Sequence, residues 1–481
     1  MLKKIIDKYK SIPLGVKVSV ALVICSLFQK GIQMITTPIF TRLLTIEQYG
    51  QISVYSSWLS IISIFATLHL GAGGFNNGML KYPEDRDGFV ASMQGLSTTV
   101  TLLCIFIYIV AIEFWNNIFG MSTILMTVMF SEILFHPALG FWSAKQRYEY
   151  KYISLVLVTL FFTILNPVVG VIAVMNNEDR GTARIISSSL VQAIAGLIFY
   201  IYNFSKNRNF FNKEYWKFAL AFNIPLVPHY LSQIVLSQSD RIMIENMCGR
   251  SYVGLYSVAY AIGMVMLMIL TAINASLVPW TFESMKAKSY KSIGRMGTNL
   301  AILMAIVSLI PTMLAPEVIR LLATPEYLNG MWVVAPVAIG VYFWFIYGLF
   351  GNIEFYFEKS KYVMYGSVCA ALANIALNYI FIKPFGYIAA GYTTMVCYLL
   401  LAFFHYIFMK KICLKENIDY HIYSLKELFF VTVILIALTA CFMALYDYFI
   451  ARYFLIFILL CIVFFKRKSI YAIMKGLKKH E

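Results

Sequence analysis

The chain has 481 residues, of which 60% are hydrophobic and only 13% are charged. Because about a quarter of the residues of a soluble globular protein are charged, this composition excludes a soluble fold and predicts an all-α polytopic membrane protein. The net charge of +16 would suggest a nucleic-acid partner in a soluble protein. The eight cysteines form no CxxC pair, so we expect neither a disulfide framework nor a metal site.

A basic N-terminal segment precedes an apolar run that is too long for a cleaved signal peptide, which predicts an uncleaved signal anchor. Fourteen apolar stretches then have the length of a membrane span. We expect transmembrane helices over residues 17–41, 49–70, 88–113, 115–141, 152–175, 183–204, 215–239, 251–278, 296–315, 331–353, 361–382, 387–409, 424–446 and 450–465.

The distribution of basic residues predicts the orientation of these spans. With both termini on the cytoplasmic side of a bacterial inner membrane, thirty of the 39 Lys and Arg residues fall on the inner side and eight on the outer side. This asymmetry follows the positive-inside rule. The positive charge therefore reflects topology and anionic lipid, and we expect no nucleic-acid partner. All connections are short, and we find no P-loop motif.

The first span carries a lysine near its middle. Lys30 lies 12 residues after Val18, which is about 18 Å along a helix and close to the midplane of a hydrocarbon core about 30 Å thick. A buried charge is costly, so this polar face predicts a cavity for an anionic ligand. The alternative is that Lys30 pairs with a buried carboxylate and only fixes packing. The other polar residues on its face are Ser26, Gln33, Thr37 and Thr41.

Three other titratable residues lie inside or at the end of expected spans. Glu132 is a candidate for coupling to an H⁺ or Na⁺ gradient, or for pairing with Lys30. His229 and Asp240 share one face of the seventh span, where Pro225 and Pro228 predict a broken helix. His229 could relay protons or serve only in packing. We expect no other cofactor.

An internal repeat relates the two halves of the chain. The segment "TRLLTIEQYGQISVYSSW" resembles "DRIMIENMCGRSYVGLYSVAY", and "NEDRGTARIISSS" echoes "FGYIAAGYTTMVC", with offsets near 204–210. Six spans separate the copies, which predicts a parallel repeat of two six-helix lobes. We expect an N-terminal lobe at 1–208, a C-terminal lobe at 209–412, and two extra helices with a basic tail at 413–481.

Three segments carry a family resemblance that covers about residues 15–410. The chain resembles Wzx-type polysaccharide flippases of the multidrug/oligosaccharidyl-lipid/polysaccharide superfamily in "TTPIFTRLLTIEQYG", in "LSQSDRIMIENMCG" with the following "VGLYSVAYAIG", and in "ANIALNYIFIKPFGYIAAGYTTMV". The resemblance implies alternating access and transport of an undecaprenyl-diphosphate-linked oligosaccharide, without covalent chemistry. The surface polymer would be O-antigen, capsule or exopolysaccharide. Related lipid II flippases also have 14 spans, and their last pair is associated with a groove for the lipid tail.

This substrate requires a basic chamber for the diphosphate. We expect Lys30 and Gln33 to line the chamber, and Arg42 and Arg241 to bind phosphate unless they are interfacial anchors. Asn378 could bind sugar hydroxyls or bridge helices. Expected partners are the lipid-linked oligosaccharide, membrane lipid, and the polysaccharide polymerase with its chain-length machinery. A multidrug exporter and a glycan polymerase or ligase are the alternatives, although Lys30 and the short outer loops argue against them.

Overall fold

The computed structural model describes residues 14–71, 73–419 and 421–465. Over these residues the protein is all-helical, with nineteen α-helices, three short 3₁₀ turns and no strand, which confirms the predicted fold class. The N-terminal segment before Leu14 and the basic tail after Phe465, both used in the topology prediction, lie outside the described residues.

The chain divides into two compact units, Met1–Leu231 and Ser232–Glu481. The helices that begin in the first unit are α1 Leu14–Leu43, α2 Ile46–Thr67, α3 Gly73–Lys81, α4 Arg86–Val110, α5 Ile112–Phe119, α6 Thr123–Tyr148, α7 Tyr152–Met175, α8 Arg180–Lys206, α9 Lys213–Asn223 and α10 Val227–Cys248. Those of the second unit are α11 Arg250–Gly263, α12 Met266–Lys286, α13 Tyr290–Met313, α14 Ala315–Leu322, α15 Met331–Tyr356, α16 Ser360–Phe385, α17 Ile388–Lys415, α18 Leu425–Ala444 and α19 Phe449–Phe465.

Twelve helical segments of the described chain are long and apolar enough to span a membrane. The other two expected spans correspond to α2, which has 22 residues but is rich in serine, and α19, which has 17. In α2 the serine hydroxyls donate to backbone carbonyls one turn earlier, as in Ser57 to Ser53 and Ser60 to Ser56. Such bonds satisfy the hydroxyls inside the helix, so α2 remains compatible with an apolar environment.

The fourth span differs from the expected range 115–141. The chain forms a separate short helix, α5, which ends at Gly120 with a φ of 62°. Ser122 then caps α6, which runs on to Tyr148. The left-handed glycine and the serine cap separate two helices that the apolar pattern had merged. The expected break in the seventh span is confirmed, because a 3₁₀ turn at Ile224–Leu226 separates α9 from α10.

The compact units differ from the expected lobes at both boundaries. The first unit extends past residue 208 because α9 packs on α4: Trp216 Nε1 donates to the Ser92 carbonyl at 3.0 Å, and Tyr215 donates to Asp85 at 2.8 Å. The C-terminal helices α18 and α19 belong to the second unit. The Tyr342 and Thr432 hydroxyls are hydrogen-bonded at 3.1 Å, and Tyr446 donates to the Thr312 carbonyl.

The helix boundaries confirm the parallel repeat. Helices α6, α7 and α8 begin at residues 123, 152 and 180, and α15, α16 and α17 begin at residues 331, 360 and 388. The offset is 208 residues in each case. The short helices α5 and α14 both have eight residues. The two halves therefore repeat the same order of helices, with α18 and α19 added after the second copy.

A close helix crossing in the first unit depends on a glycine. A Cβ at Gly196 of α8 would lie 2.3 Å from the Phe135 carbonyl carbon and 2.4 Å from the His136 backbone nitrogen of α6. Because backbone atoms cannot move aside as a flexible side chain can, α6 and α8 pack closely only while residue 196 is glycine.

We expect Gly196→Ala to destabilise the protein by about 1–3 kcal/mol, the usual cost of overpacking, and to lower the midpoint of thermal unfolding measured in detergent. Gly348→Ala is the matched control, since a Cβ at this helical glycine of α15 meets no atom within 4 Å. An unfolding midpoint for Gly196→Ala equal to that of the control would contradict the close crossing.

Candidate functional site

A polar cavity of about 1010 Å³ lies within the first unit. Its walls come mainly from α1, α6, α7 and α8. Along α1 the wall runs from Leu22 to Thr36, which is about 21 Å of helix. The polar lining residues are Ser26, Gln29, Lys30, Gln33, Thr36, Asn76, His136, Ser143, Arg147, Thr159, Thr163, Asn166, Arg184, Ser188 and Gln192.

The cavity wall carries three cationic side chains and no acidic one among the described residues that line it. Lys30 comes from the middle of α1, Arg147 from the last turn of α6, and Arg184 from the second turn of α8. Since α7 reverses the chain direction between α6 and α8, the two arginines approach the cavity from opposite ends. This arrangement suits an anionic ligand.

The structure places Lys30 and Gln33 together on this wall, as the sequence predicted. The Lys30 ammonium donates to the Gln33 side-chain oxygen at 3.5 Å, and both side chains are exposed. Further along α1, the residue that lines the cavity differs from the predicted Thr37 and Thr41. The cavity is lined by Thr36, whereas Thr37 donates to the Gln33 backbone carbonyl and Thr41 is buried.

Arg184 is a site residue that sequence reasoning missed, because the topology prediction counts it only as one of the eight basic residues on the outer side. Its Nη2 donates to the Asn166 side-chain oxygen at 2.9 Å, and its guanidinium lies 4.3 Å from the centre of the Phe40 ring. Asn166 in turn donates to Ser188 at 3.1 Å. The four-residue spacing of Arg184, Ser188 and Gln192 along one face of α8 was the available sequence signal.

One nitrogen of the Arg184 guanidinium is buried beside Gly170 of α7. Its Nη1 is buried and has no hydrogen-bond partner among the described residues. A Cβ at Gly170 of α7 would lie 2.7 Å from this nitrogen, so the glycine makes room for it. A buried guanidinium nitrogen without a hydrogen-bond partner is costly.

Glu132 does not pair with Lys30. Its carboxylate lies beside the Ser189 hydroxyl, which is 2.9 Å from the Tyr55 hydroxyl. No ion pair within the described part of the chain contains either Glu132 or Lys30. Pairing with Glu132 therefore does not explain the lysine, and Lys30 is left facing the cavity.

The other two predicted phosphate ligands do not line this cavity. Arg42 Nη1 donates to the Pro38 carbonyl at 2.9 Å, and Arg241 Nη1 donates to the Ser237 carbonyl at 2.8 Å. Each arginine thus bonds the backbone four residues earlier in its own helix. Arg241 also lies 4.6 Å from the centre of the Tyr260 ring.

Asp240 and Asn378 come together in a buried network of the second unit. Asp240 accepts hydrogen bonds from Asn378 at 2.7 Å, from Thr394 at 2.8 Å and from the Tyr256 hydroxyl. Asn378 also receives a hydrogen bond from Thr393. The side chains of Asp240 and Asn378 are fully buried, so Asn378 bridges helices here, as one of the two sequence interpretations proposed.

The remaining residues of the seventh span have separate neighbours. The His229 ring lies 5.8 Å from the Tyr230 ring, and the Gln233 amide donates to Ser367 at 3.2 Å. The predicted shared face of His229 and Asp240 crosses the boundary between the two units.

A buried pair of titratable residues in the second unit was not predicted from the sequence. His405 Nδ1 of α17 lies 2.8 Å from Glu354 Oε1 of α15, and neither side chain is exposed. Among the described residues, His405 Nε2 and Glu354 Oε2 have no hydrogen-bond partner. The two residues are 51 positions apart, so helical spacing gave no signal for this pair.

Solved structures of two transporter types share this fold. An inward-facing multidrug resistance MATE family transporter of the MOP superfamily is 14% identical, with a TM-score of 0.63, and the match covers 82% of this chain and 97% of that one. The lipid II flippase MurJ in an inward closed conformation is 13% identical, with a TM-score of 0.66, and the match covers 95% and 100%. The fold is that of multi-pass membrane transporters.

The chain belongs to the polysaccharide biosynthesis protein family, whose match covers residues 16–285, more than half of the sequence. The predicted family resemblance is thereby confirmed, and the protein is a multi-pass membrane protein of this family. A protein of the Lsg locus of Haemophilus influenzae is 23% identical over 381 residues, which cover 75% of this chain and 89% of that protein. A membrane protein of the same species is 22% identical over 374 residues, which cover 74% and 88%.

We expect Glu354→Met and His405→Leu to destabilise the protein by about 3–5 kcal/mol each, because each leaves one polar partner buried alone. The double variant should recover much of this loss, since both polar groups are then removed. The measurement is a double-mutant cycle on thermal unfolding in detergent. Additive losses in the double variant would show that the two side chains are not coupled.

Proposed function

We propose that this protein flips an undecaprenyl-diphosphate-linked oligosaccharide from the inner to the outer leaflet of a bacterial inner membrane, for the synthesis of O-antigen, capsule or exopolysaccharide. The observation that carries the proposal is the cavity with Lys30, Arg147 and Arg184 and without a lining carboxylate among the described residues. At about 4 Å, a cation and a phosphate oxygen attract each other by about 4 kcal/mol at an effective dielectric constant of 20. A bound diphosphate would therefore offset the free-energy cost of placing these cations inside the membrane.

Each cation has a distinct role in the proposed transport. Arg147, exposed at the last turn of α6, first meets the diphosphate on the cytoplasmic side. Lys30 carries it past the middle of the membrane as a mobile point charge. Arg184, held by Asn166 and Phe40, is the oriented donor near the opposite end. The polar amides and hydroxyls of the wall then bind the sugars.

The parallel repeat supports alternating access as the transport mechanism, because two similar halves can exchange between two openings. The coupling ion is H⁺ or Na⁺ in this proposal, with Glu132, Asp240 and His229 as the candidate residues. Both termini are cytoplasmic. The polysaccharide polymerase and its chain-length machinery are the proposed protein partners, since they would receive the flipped repeat unit.

The alternatives fit the cavity less well. An exporter of cationic drugs needs carboxylates where this wall has lysine and arginine. A glycan polymerase or ligase needs a sizeable outer loop for its acceptor. The connections between the described helices are short, the longest being residues 416–424 between α17 and α18 and residues 323–330 between α14 and α15. No second function is favoured by an observation of this structure.

We expect deletion of the gene in its host to leave an undecaprenyl-linked repeat unit on the cytoplasmic leaflet and to abolish surface glycan. Lys30→Gln and Arg184→Gln should each restore transport about tenfold to a hundredfold less well than the wild-type gene, the cost of one charge-assisted hydrogen bond. The measurement is leaflet-resolved labelling of the lipid-linked unit at equal protein levels.

Lys206→Gln is the matched control, because Lys206 is exposed and does not line the cavity. Full rescue by Lys30→Gln and Arg184→Gln would be compatible with flippase activity but would show that these two cations are not needed for it. Normal appearance of the repeat unit on the outer leaflet of the deletion strain would refute the proposed function itself.

A further inference from the structure

A second charged pocket lies in the second unit, between the start of α16 and the end of α17. It has a volume of about 560 Å³ and is lined by four lysines, two tyrosines and two glutamates. The side chains of Lys361, Lys411 and Lys415 are exposed. Its charge is therefore positive, and no step of the proposed transport uses it.

Two stacked aromatic side chains, Tyr362 and Phe408, pack beside Lys411 of the pocket. The Lys411 ammonium lies 5.8 Å from the centre of the Tyr362 ring, and this ring stacks on Phe408 at 5.1 Å with an interplanar angle of 27°. Tyr362 belongs to α16, whereas Lys411 and Phe408 belong to α17. The lysine is thus positioned by packing between two helices, unlike a lysine on a mobile loop.

Exposed apolar side chains continue from this pocket along both helices. On α16, Tyr365 is 52% exposed and Leu372 is 63% exposed, one and three turns beyond Lys361. On α17, Ile407 and Phe403 are exposed one and two turns before Lys411. From Lys361 to Leu372 the helix rises about 16 Å, about half of a hydrocarbon core about 30 Å thick. The surface thus combines a cationic end with an apolar face the depth of one leaflet.

The internal repeat shows that helix packing alone does not require these lysines. At the offset of 208 residues, Lys361, Lys411 and Lys415 correspond to Ile153, Asn203 and Asn207 of the first half. The apolar face is kept there, because Leu157 of α7, the counterpart of Tyr365, is 64% exposed. The first half therefore carries no lysine at these three positions, and Lys151 is its counterpart of Lys359.

We propose that this pocket binds the phosphate of an anionic glycerophospholipid from the surrounding leaflet, with its acyl chains along the exposed face of α16 and α17. Lysines at the edge of a membrane span attract anionic headgroups, and the apolar face distinguishes a lipid from a free phosphate. This site goes beyond the proposed function, since it holds a bilayer lipid at a place separate from the cavity that receives the cargo.

The test compares binding of labelled phosphatidylglycerol and phosphatidylcholine with identical acyl chains to the full-length protein, delipidated in detergent. We expect a preference for phosphatidylglycerol of about tenfold or more, lost in the K361Q/K411Q/K415Q variant. The matched control K286Q/K288Q/K291Q removes three exposed lysines of the α12–α13 turn and should keep the preference. Thermal unfolding confirms that each variant is folded.

The arginine variant K361R/K411R/K415R should retain binding, because it keeps the three positive charges. If the glutamine triple variant fails to fold, this arginine variant and the single variants K361Q and K411Q replace it in the test. Inorganic phosphate at equal concentration should not displace the lipid. Unchanged preference in the folded glutamine variants would overturn the proposal. Displacement by inorganic phosphate would assign the pocket to a soluble anion and overturn it as well.

Discussion

The hydrocarbon core of a bilayer contains no water to satisfy polar groups, and the architecture of this protein follows from that constraint. Backbone groups are satisfied within helices, and the serine hydroxyls of α2 donate to carbonyls of their own helix. Side-chain charges have only two stable environments. They face a hydrated cavity, or they are buried with hydrogen-bonding partners.

The two units use these two environments differently. In the first unit Lys30 and Arg184 line one cavity together, and the Lys30 side chain is exposed. In the second unit Asp240 is enclosed by Tyr256, Asn378 and Thr394. A buried carboxylate that accepts three hydrogen bonds helps to specify one packing arrangement of its helices. In contrast, the cationic side chains of an open cavity wall remain able to interact with a ligand.

The repeat makes this difference visible at single positions. Asn166 and Asn374 occupy the same place in the two halves, 208 residues apart. Asn166 accepts from Arg184 at a cavity wall, whereas Asn374 accepts from Ser239 and donates to Thr394 inside the helix packing. The same position of the repeat thus lines a cavity in one half and joins packed helices in the other.

The sequence by itself determined the all-helical class, the parallel repeat and twelve of the fourteen expected spans, because apolar length and helical periodicity are local properties of the chain. It also found Lys30 and Gln33, since a polar face within an apolar helix is visible without its neighbours. Only the tertiary structure decided that Arg184 belongs to the same cavity, that Glu132 does not neutralise Lys30, and that His405 meets Glu354. These contacts join residues far apart in sequence, and helix packing, which no local pattern encodes, brings them together.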